Sequence, residues 1–270
     1  MKRSFLIALY AVVALLVASE AYAWDAEGHG TIGHIADRHL TPKARKMCAK
    51  YLGHSLAYCA SWLDQWRYSH EYHHTARWHA VGIKDGEFVP GQVAGDTADF
   101  LAPLTPDDHG VAQMEQMLAQ LKDYRNMTDS AVTVNLKCII HMVGDMHCPG
   151  HVFYYGLKQY DMKENGEPIR FHGFIDKAFG RFNHGKCSDD FYDKHCRLTK
   201  KEISALQQGT LADWVIENTP LFKECYGLLS PTIDYKDIPE QNKFRLKEIT
   251  DELRVEAGFR LAYTMNQIFK

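Results

Sequence analysis

The stretch His141-Met142-Val143-Gly144-Asp145-Met146-His147-Cys148-Pro149-Gly150-His151 decides how this chain is read. On a helix, His141 and Asp145 stand one turn apart on the same face, so both side chains can reach a single metal ion. Pro149-Gly150 then ends the helix and swings His151 toward a different ion. One segment able to serve two metals points to a polynuclear hydrolytic centre. Upstream, Val132, Leu136, Ile139, Ile140 and Val143 recur at helical spacing around those ligands, so the segment predicts a helix over Ser130–His147.

Helical signals continue outward. Thr41-Pro42 and Gly53 bracket an amphipathic stretch with an N-cap, a proline in the first turn and a glycine at the end. Val111, Met114, Met117, Leu118 and Leu121 predict a helix from Asp108 to about Tyr124, and the same reasoning marks Ser204–Glu217 and Gln241–Phe269. Val81–Pro106 and Lys158–Ile169 read as loops, the second with a short β-hairpin around Asn165-Gly166. There is no internal repeat or low-complexity linker. The expectation is a mainly α, single-domain helical bundle.

The N-terminus carries Lys2-Arg3, an apolar run from Phe5 to Ala18, and Ala21-Tyr22-Ala23. This is the pattern of a secretory signal peptide over residues 1–23, cleaved after Ala23, and the run falls short of the roughly 20 residues a membrane span needs. The expected product is a secreted or periplasmic domain over 24–270, with no stable membrane association. Lys and Arg number 31 against 34 Asp and Glu, so no general basic charge advertises electrostatic binding of nucleic acid. A phosphate ester would depend on bound metals for its counter-charge. Of seven cysteines, Cys187 and Cys196 flank a short polar loop and are the expected local disulfide. None has CxxC spacing, so cysteine chemistry at the active site is not expected.

Fifteen histidines include a second His-x-x-x-Asp pair, His172-Gly-Phe-Ile-Asp176. Two such pairs with His151 between them suit zinc, which takes imidazole and carboxylate in sites that keep positions open for water. Cleavage after Ala23 would also free the α-amine of Trp24, which with its own carbonyl oxygen can chelate a metal beside His29.

With these residues in view the chain resembles the zinc-dependent single-strand nucleases and 3′-nucleotidases of the mung bean nuclease type, which share a helical fold with zinc-dependent phospholipase C. The family's opening Trp-x-x-x-x-His is matched by Trp24 and His29. Its Trp-Ala-Asp-x-x-Arg is matched, with one substitution, by Trp62-Leu63-Asp64-Gln65-Trp66-Arg67. Its next histidine corresponds to His79, its His-Phe-x-Gly-Asp-x-x-x-Pro-x-His to His141–His151 with Met142 for the aromatic, and its last pair to His172 and Asp176. The resemblance implies a cleft with three zinc ions. One is held by Asp64, His79, His141 and Asp145. A second uses the Trp24 amine and carbonyl, His29 and a bridging Asp145. The third uses His151, His172 and Asp176.

It further implies in-line attack on phosphorus by a zinc-bridging hydroxide, without a covalent intermediate. Arg67 and Asp145 are the catalytic residues, with Arg67 offering a fork to phosphate oxygens. Single-stranded DNA, RNA or a 3′-nucleotide is the implied partner, with no obligate protein partner. In the family an aromatic and an acidic residue follow the His79 position; Ala80 and Gly82 stand here, so base stacking must come from Trp66, Tyr72, Phe153 or Tyr154. The expected substrate contacts are Arg67, His147, Phe153 and Tyr154, with His147 in the outer shell or the cleft. The competing reading is a phospholipase C acting on lipid headgroups. That branch has a longer gap between the terminal Trp and its His, and closes with Glu where this chain has Asp176. A zinc-storage protein would leave Arg67 and a chelating N-terminus unexplained.

Overall fold

A computed structural model describes residues 24–91, 105–154, 161–183 and 188–270. The chain is mostly helical, as expected. Thr41 caps α2 (Pro42–Leu52) through its side chain, and Gly53 closes it with a φ of 69°. Ahead of it, α1 (Ala26–Arg38) is capped by Asp25, whose carboxylate accepts from the Gly28 N–H. Two short helices follow, α3 (Leu56–Cys59) and α4 (Trp62–Trp66). Further along are α5 (Gly110–Leu121) and α6 (Asp129–Asp145), the helix read from the opening segment.

Thr128 caps α6 at its start, and every residue from Cys138 to Asp145 is buried. It is therefore a central helix, packed against α2, α4, α5 and the C-terminal helix. Each fully buried Leu or Ile on it contributes about 1.5–3 kcal/mol relative to exposure. The C-terminal helix lies across α1, and both feed the main core.

The segment Val81–Pro106, expected as loop, contains two strands, β1 (Val81–Lys84) and β2 (Glu87–Pro90), paired antiparallel with Lys84 opposite Glu87. Their turn, Asp85-Gly86, has both φ angles positive, the same hairpin device as Asn165-Gly166, where β4 (Asp161–Glu164) and β5 (Glu167–Arg170) meet as expected. Residues 92–104 of the expected loop lie outside the described residues. The consequential pairing is long-range: β1 also runs parallel to β3 (Val152–Tyr154), with Val81 opposite Val152. That register puts His79 and His151, each two places or one before its strand, side by side.

After β5 come α7 (Phe171–Asp176), α8 (Ala178–Asn183) and α9 (Ser188–His195). The single helix expected over Ser204–Glu217 is two, α10 (Lys200–Leu206) and α11 (Leu211–Glu217). Gly209, at φ 85°, breaks it, and Thr210 starts the second with a capping box to Asp213. Then α12 (Thr219–Leu228) leads to α13 (Glu240–Ile268), whose 29 residues run about 44 Å. No described helix is long and apolar enough to cross a membrane. The expected signal peptide, residues 1–23, and Cys187 of the expected disulfide lie outside the described residues. The other six cysteines are buried, with no disulfide among them.

Candidate metal centre

Five segments converge on one buried polar cluster: the start of α1, α4, His79 two residues before β1, the end of α6 with the turn after it, and α7. The end of α6 supplies most of it. After Asp145 the chain unwinds through tight turns, with Cys148 N–H donating to the Asp145 carbonyl and His151 N–H to the Cys148 carbonyl. The turn at Pro149-Gly150 takes His151 off the helix face, as its sequence predicts.

Four ligand atoms face one another around a first position: Asp64 Oδ1, His79 Nδ1, His141 Nε2 and Asp145 Oδ2. His79 Nδ1 and His141 Nε2 lie 3.1 Å apart, and each is 3.7 Å from Asp64 Oδ1. Asp145 Oδ2 is 3.1 Å from His79 Nδ1 and 3.2 Å from His141 Nε2. Ligands held at about 2.0–2.1 Å around a tetrahedral zinc sit about 3.3 Å from one another, so this set of separations matches one ion. His141 Nδ1–H donates to the Ala60 carbonyl at 2.7 Å, a tautomer that leaves the Nε2 lone pair facing the cluster.

The other carboxylate oxygen of Asp145, Oδ1, points away from that position, 3.4 Å from His29 Nε2. The His29 ring stacks on His141 at 4.1 Å, and it fits only because residue 144 is glycine: a Cβ there would stand 2.7 Å from His29 Nδ1. Trp24 is fully buried alongside, its indole Nε1–H donating to the Gly144 carbonyl at 2.9 Å. The Arg254 guanidinium lies 3.9 Å over its ring. Asp25 N–H donates to the Asp176 carbonyl, so the start of α1 is tied to the end of α7.

A third grouping lies beyond. His151 Nδ1 donates to the His79 carbonyl, a bond set up by the β1–β3 register. Its Nε2 faces His172 Nε2 at 2.8 Å and Asp176 Oδ1 at 3.5 Å, while His172 Nε2 is 3.0 Å from Asp176 Oδ2. Cys148 joins them, its Sγ 3.5 Å from Asp176 Oδ1. Three sets of candidate ligand atoms result, each within 4.8 Å: His29, His141 and Asp145; Asp64, His79 and His141; and Cys148, His151 and Asp176. The expectation from spacing had set the cysteines aside. The signal was the place of Cys148 inside the ligand segment, three residues before His151.

The donor set fits a metal. Both nitrogens of His29, both oxygens of Asp64 and Asp145, His79 Nε2 and Asp176 Oδ2 are buried without a hydrogen-bond partner among the described residues. A buried polar atom left so costs about 1–3 kcal/mol. Burial lifts Asp64 to about 6 against the pull of His141 and Arg67, and takes His29 down to about 4. Burial opposes ionisation of Asp145, yet His141 and His151 hold it well below the carboxylate range. Burial also opposes the charge on His151, and Asp145 with Asp176 overturns that, raising it to about 9. Protonated imidazoles thus balance the carboxylates, a task that divalent cations take when such ligands bind them.

Arg67, at the end of α4, is buried beside the first position with Nη1 3.3 Å from Asp64 Oδ1. Burial would lower its charge, but Asp64, Tyr68 and Asp145 more than offset this. Trp66 on the same helix is 44% exposed and clusters with Trp62 and Tyr72. Phe153 is half-buried and Tyr154 buried. His147, expected in the outer shell or the cleft, is buried against α13. Its ring turns inward, Nδ1–H donating to the Val143 carbonyl and Nε2 accepting from Arg260 Nη1, because the turn after Asp145 rotates it toward α13. It braces two helices and has no surface to offer a substrate.

Comparison with known proteins places the chain among its relatives. Nuclease S1 of Aspergillus oryzae is 25% identical over 173 residues, 60% of this chain and 56% of that protein. Nuclease P1 of Penicillium citrinum is 23% identical over 138 residues, 50% of this chain and 49% of its own length. The chain thus spans about half the length of the curated relatives it matches. Residues 24–270 match the S1/P1 Nuclease family along their whole extent. The chain belongs to the S1/P1 nuclease family.

Proposed function

We propose that this protein is an exported, zinc-dependent phosphodiesterase that hydrolyses single-stranded DNA and RNA to 5′-nucleotides and removes 3′-phosphates. The observation that carries the reading is the orientation of Asp145, one oxygen toward His79 and His141 and the other toward His29. A carboxylate so placed is a bridge between two ions. Asp64, His79, His141 and Asp145 would hold the first ion; the Trp24 amine and carbonyl, His29 and Asp145 the second; His151, His172 and Asp176 the third. Bound there, the zinc ions supply a nucleophile from water near neutral pH and Lewis-acid stabilisation of the phosphate.

The protein's own groups do the rest. His141 and His151 are locked by carbonyls so that their Nε2 lone pairs point into the cluster. Arg67, kept charged by Asp64 beside it, sits where it can draw the phosphate oxygens toward the first position and offset charge on the leaving 3′-oxygen. Trp66, with Trp62 and Tyr72 behind it, offers the exposed aromatic face for a base. Export enters the chemistry through Trp24: only a cleaved chain has a free amine there, so the precursor is expected to be defective.

The test is to incubate the purified cleaved protein with single-stranded DNA, RNA, 3′-AMP and phosphatidylcholine, with and without chelator. Chelator-sensitive cleavage of the nucleic acids and release of phosphate from 3′-AMP are expected. Lipid cleavage without nucleotide cleavage would overturn the assignment in favour of a phospholipase C.

A further inference from the structure

Cys148 is buried in the third ligand grouping, and nothing in the proposed reaction uses it. Its Sγ lies 3.5 Å from Asp176 Oδ1, and His151 Nε2 is likewise 3.5 Å from that oxygen. Zinc–sulfur bonds of about 2.3 Å and zinc–oxygen bonds of about 2.0 Å, set at tetrahedral angles, place sulfur and oxygen about 3.5 Å apart. The observed separation suits two ligands of one ion, and it equally suits an S–H donated to Asp176. Asp176 is nearly fully buried, and its Oδ2 has no hydrogen-bond partner among the described residues. The grouping therefore points at a ligand independently of the sulfur. Burial and the Asp176 carboxylate push the Cys148 thiol well up, so it is a neutral S–H in the metal-free protein, while the backbone N–H of Gly150 favours its charge. A donor of this kind stabilises the negative charge of a metal-bound thiolate.

We infer that Cys148 is a direct thiolate ligand of the third zinc, making its site Cys148, His151, His172 and Asp176 rather than an all-nitrogen-and-oxygen set. The inference rests on the three-zinc reading above. On binding, the Cys148 S–H bond breaks, its proton leaves to solvent, and the sulfur electron pair forms the bond to zinc, so loading this site releases one proton from the thiol. A thiolate also softens the site, favouring zinc, cobalt or cadmium over magnesium and manganese.

The alternative role for the same contact is an S–H donor that merely orients Asp176. Cys148→Ser separates the two, since serine keeps a donor and removes the sulfur. Cleaved protein is loaded with zinc and its ions counted, then reloaded with cobalt(II) and its near-ultraviolet spectrum recorded. Three ions per chain and a thiolate-to-cobalt charge-transfer band are expected. The band should disappear in Cys148→Ser and persist in Cys138→Ser, a buried cysteine earlier on α6. Zinc affinity at one site should fall by more than about 100-fold in Cys148→Ser, beyond the 10–100-fold typical of an orienting partner. Three ions with no charge-transfer band in the unaltered protein overturns the thiolate and leaves the trinuclear centre standing. Fewer than three ions and no band overturns both. The spectrum of the unaltered protein decides the question even if the variant does not fold.

Discussion

Two buried polar clusters lie on either side of the same turn, and they are built on opposite terms. In the brace, His147 donates to the Val143 carbonyl and accepts from Arg260, while Arg260 also reaches the Leu206 carbonyl, Glu256 and Glu217. These groups satisfy one another. Two residues away, Asp145 has neither oxygen in a hydrogen bond, and His29, Asp64 and His79 carry further orphaned atoms. Buried polar groups that complete their own network serve the fold, whereas groups that converge and leave atoms unmatched serve a ligand. Four changes separate the clusters.

The largest effect is expected from Asp145→Ala. Removing the bridge should take the zinc content from three ions to one and lower phosphodiesterase activity by about 10³-fold or more. Metal analysis that shows a loss of only one ion would contradict the bridging role. The mirror experiment is Arg260→Leu, which strands His147 and Glu256. It should cost about 3–5 kcal/mol of unfolding free energy, read by urea titration, with zinc content in the folded protein unchanged. If zinc falls with it, the two clusters are one system and the comparison fails.

A single alanine placed before Trp24 tests the N-terminal ligand. One ion and about 10²-fold of activity should be lost, while thermal stability in chelator stays equal to that of the parent. Unchanged zinc content would remove Trp24 from the centre. The smallest effect belongs to Trp66→Ala, outside both clusters. It should weaken binding of single-stranded substrate by about 1 kcal/mol, a rise in KM with kcat nearly constant and zinc content intact. A fall in kcat alone would show that Trp66 acts on the chemistry and not on the base.

Much of the centre is legible in the chain because it is local. His141 with Asp145 and His172 with Asp176 are one helical turn apart, so helix formation alone delivers each pair to a common face. Pro149-Gly150 and Asn165-Gly166 act through backbone geometry that holds in any context. The Asp85-Gly86 turn carried the same signal, but the surrounding Gly, Pro and Asp masked two four-residue strands as loop. Gly209 inside an otherwise periodic run was outweighed by the apolar spacing on either side, until its positive φ and the Thr210 cap divided the helix.

What the amino-acid order determined by itself is the helix content, the caps and the local ligand pairs, since these depend on contacts within a few residues. Which of the candidate ligand atoms converge, and which histidine turns away from them, only the tertiary structure decided. The parallel pairing of β1 with β3 sets His79 against His151, the glycine at 144 admits His29, the turn after Asp145 brings Cys148 in and sends His147 to Arg260. Each depends on segments far apart in sequence whose approach is set by packing of the whole core, and no spacing along the chain encodes it.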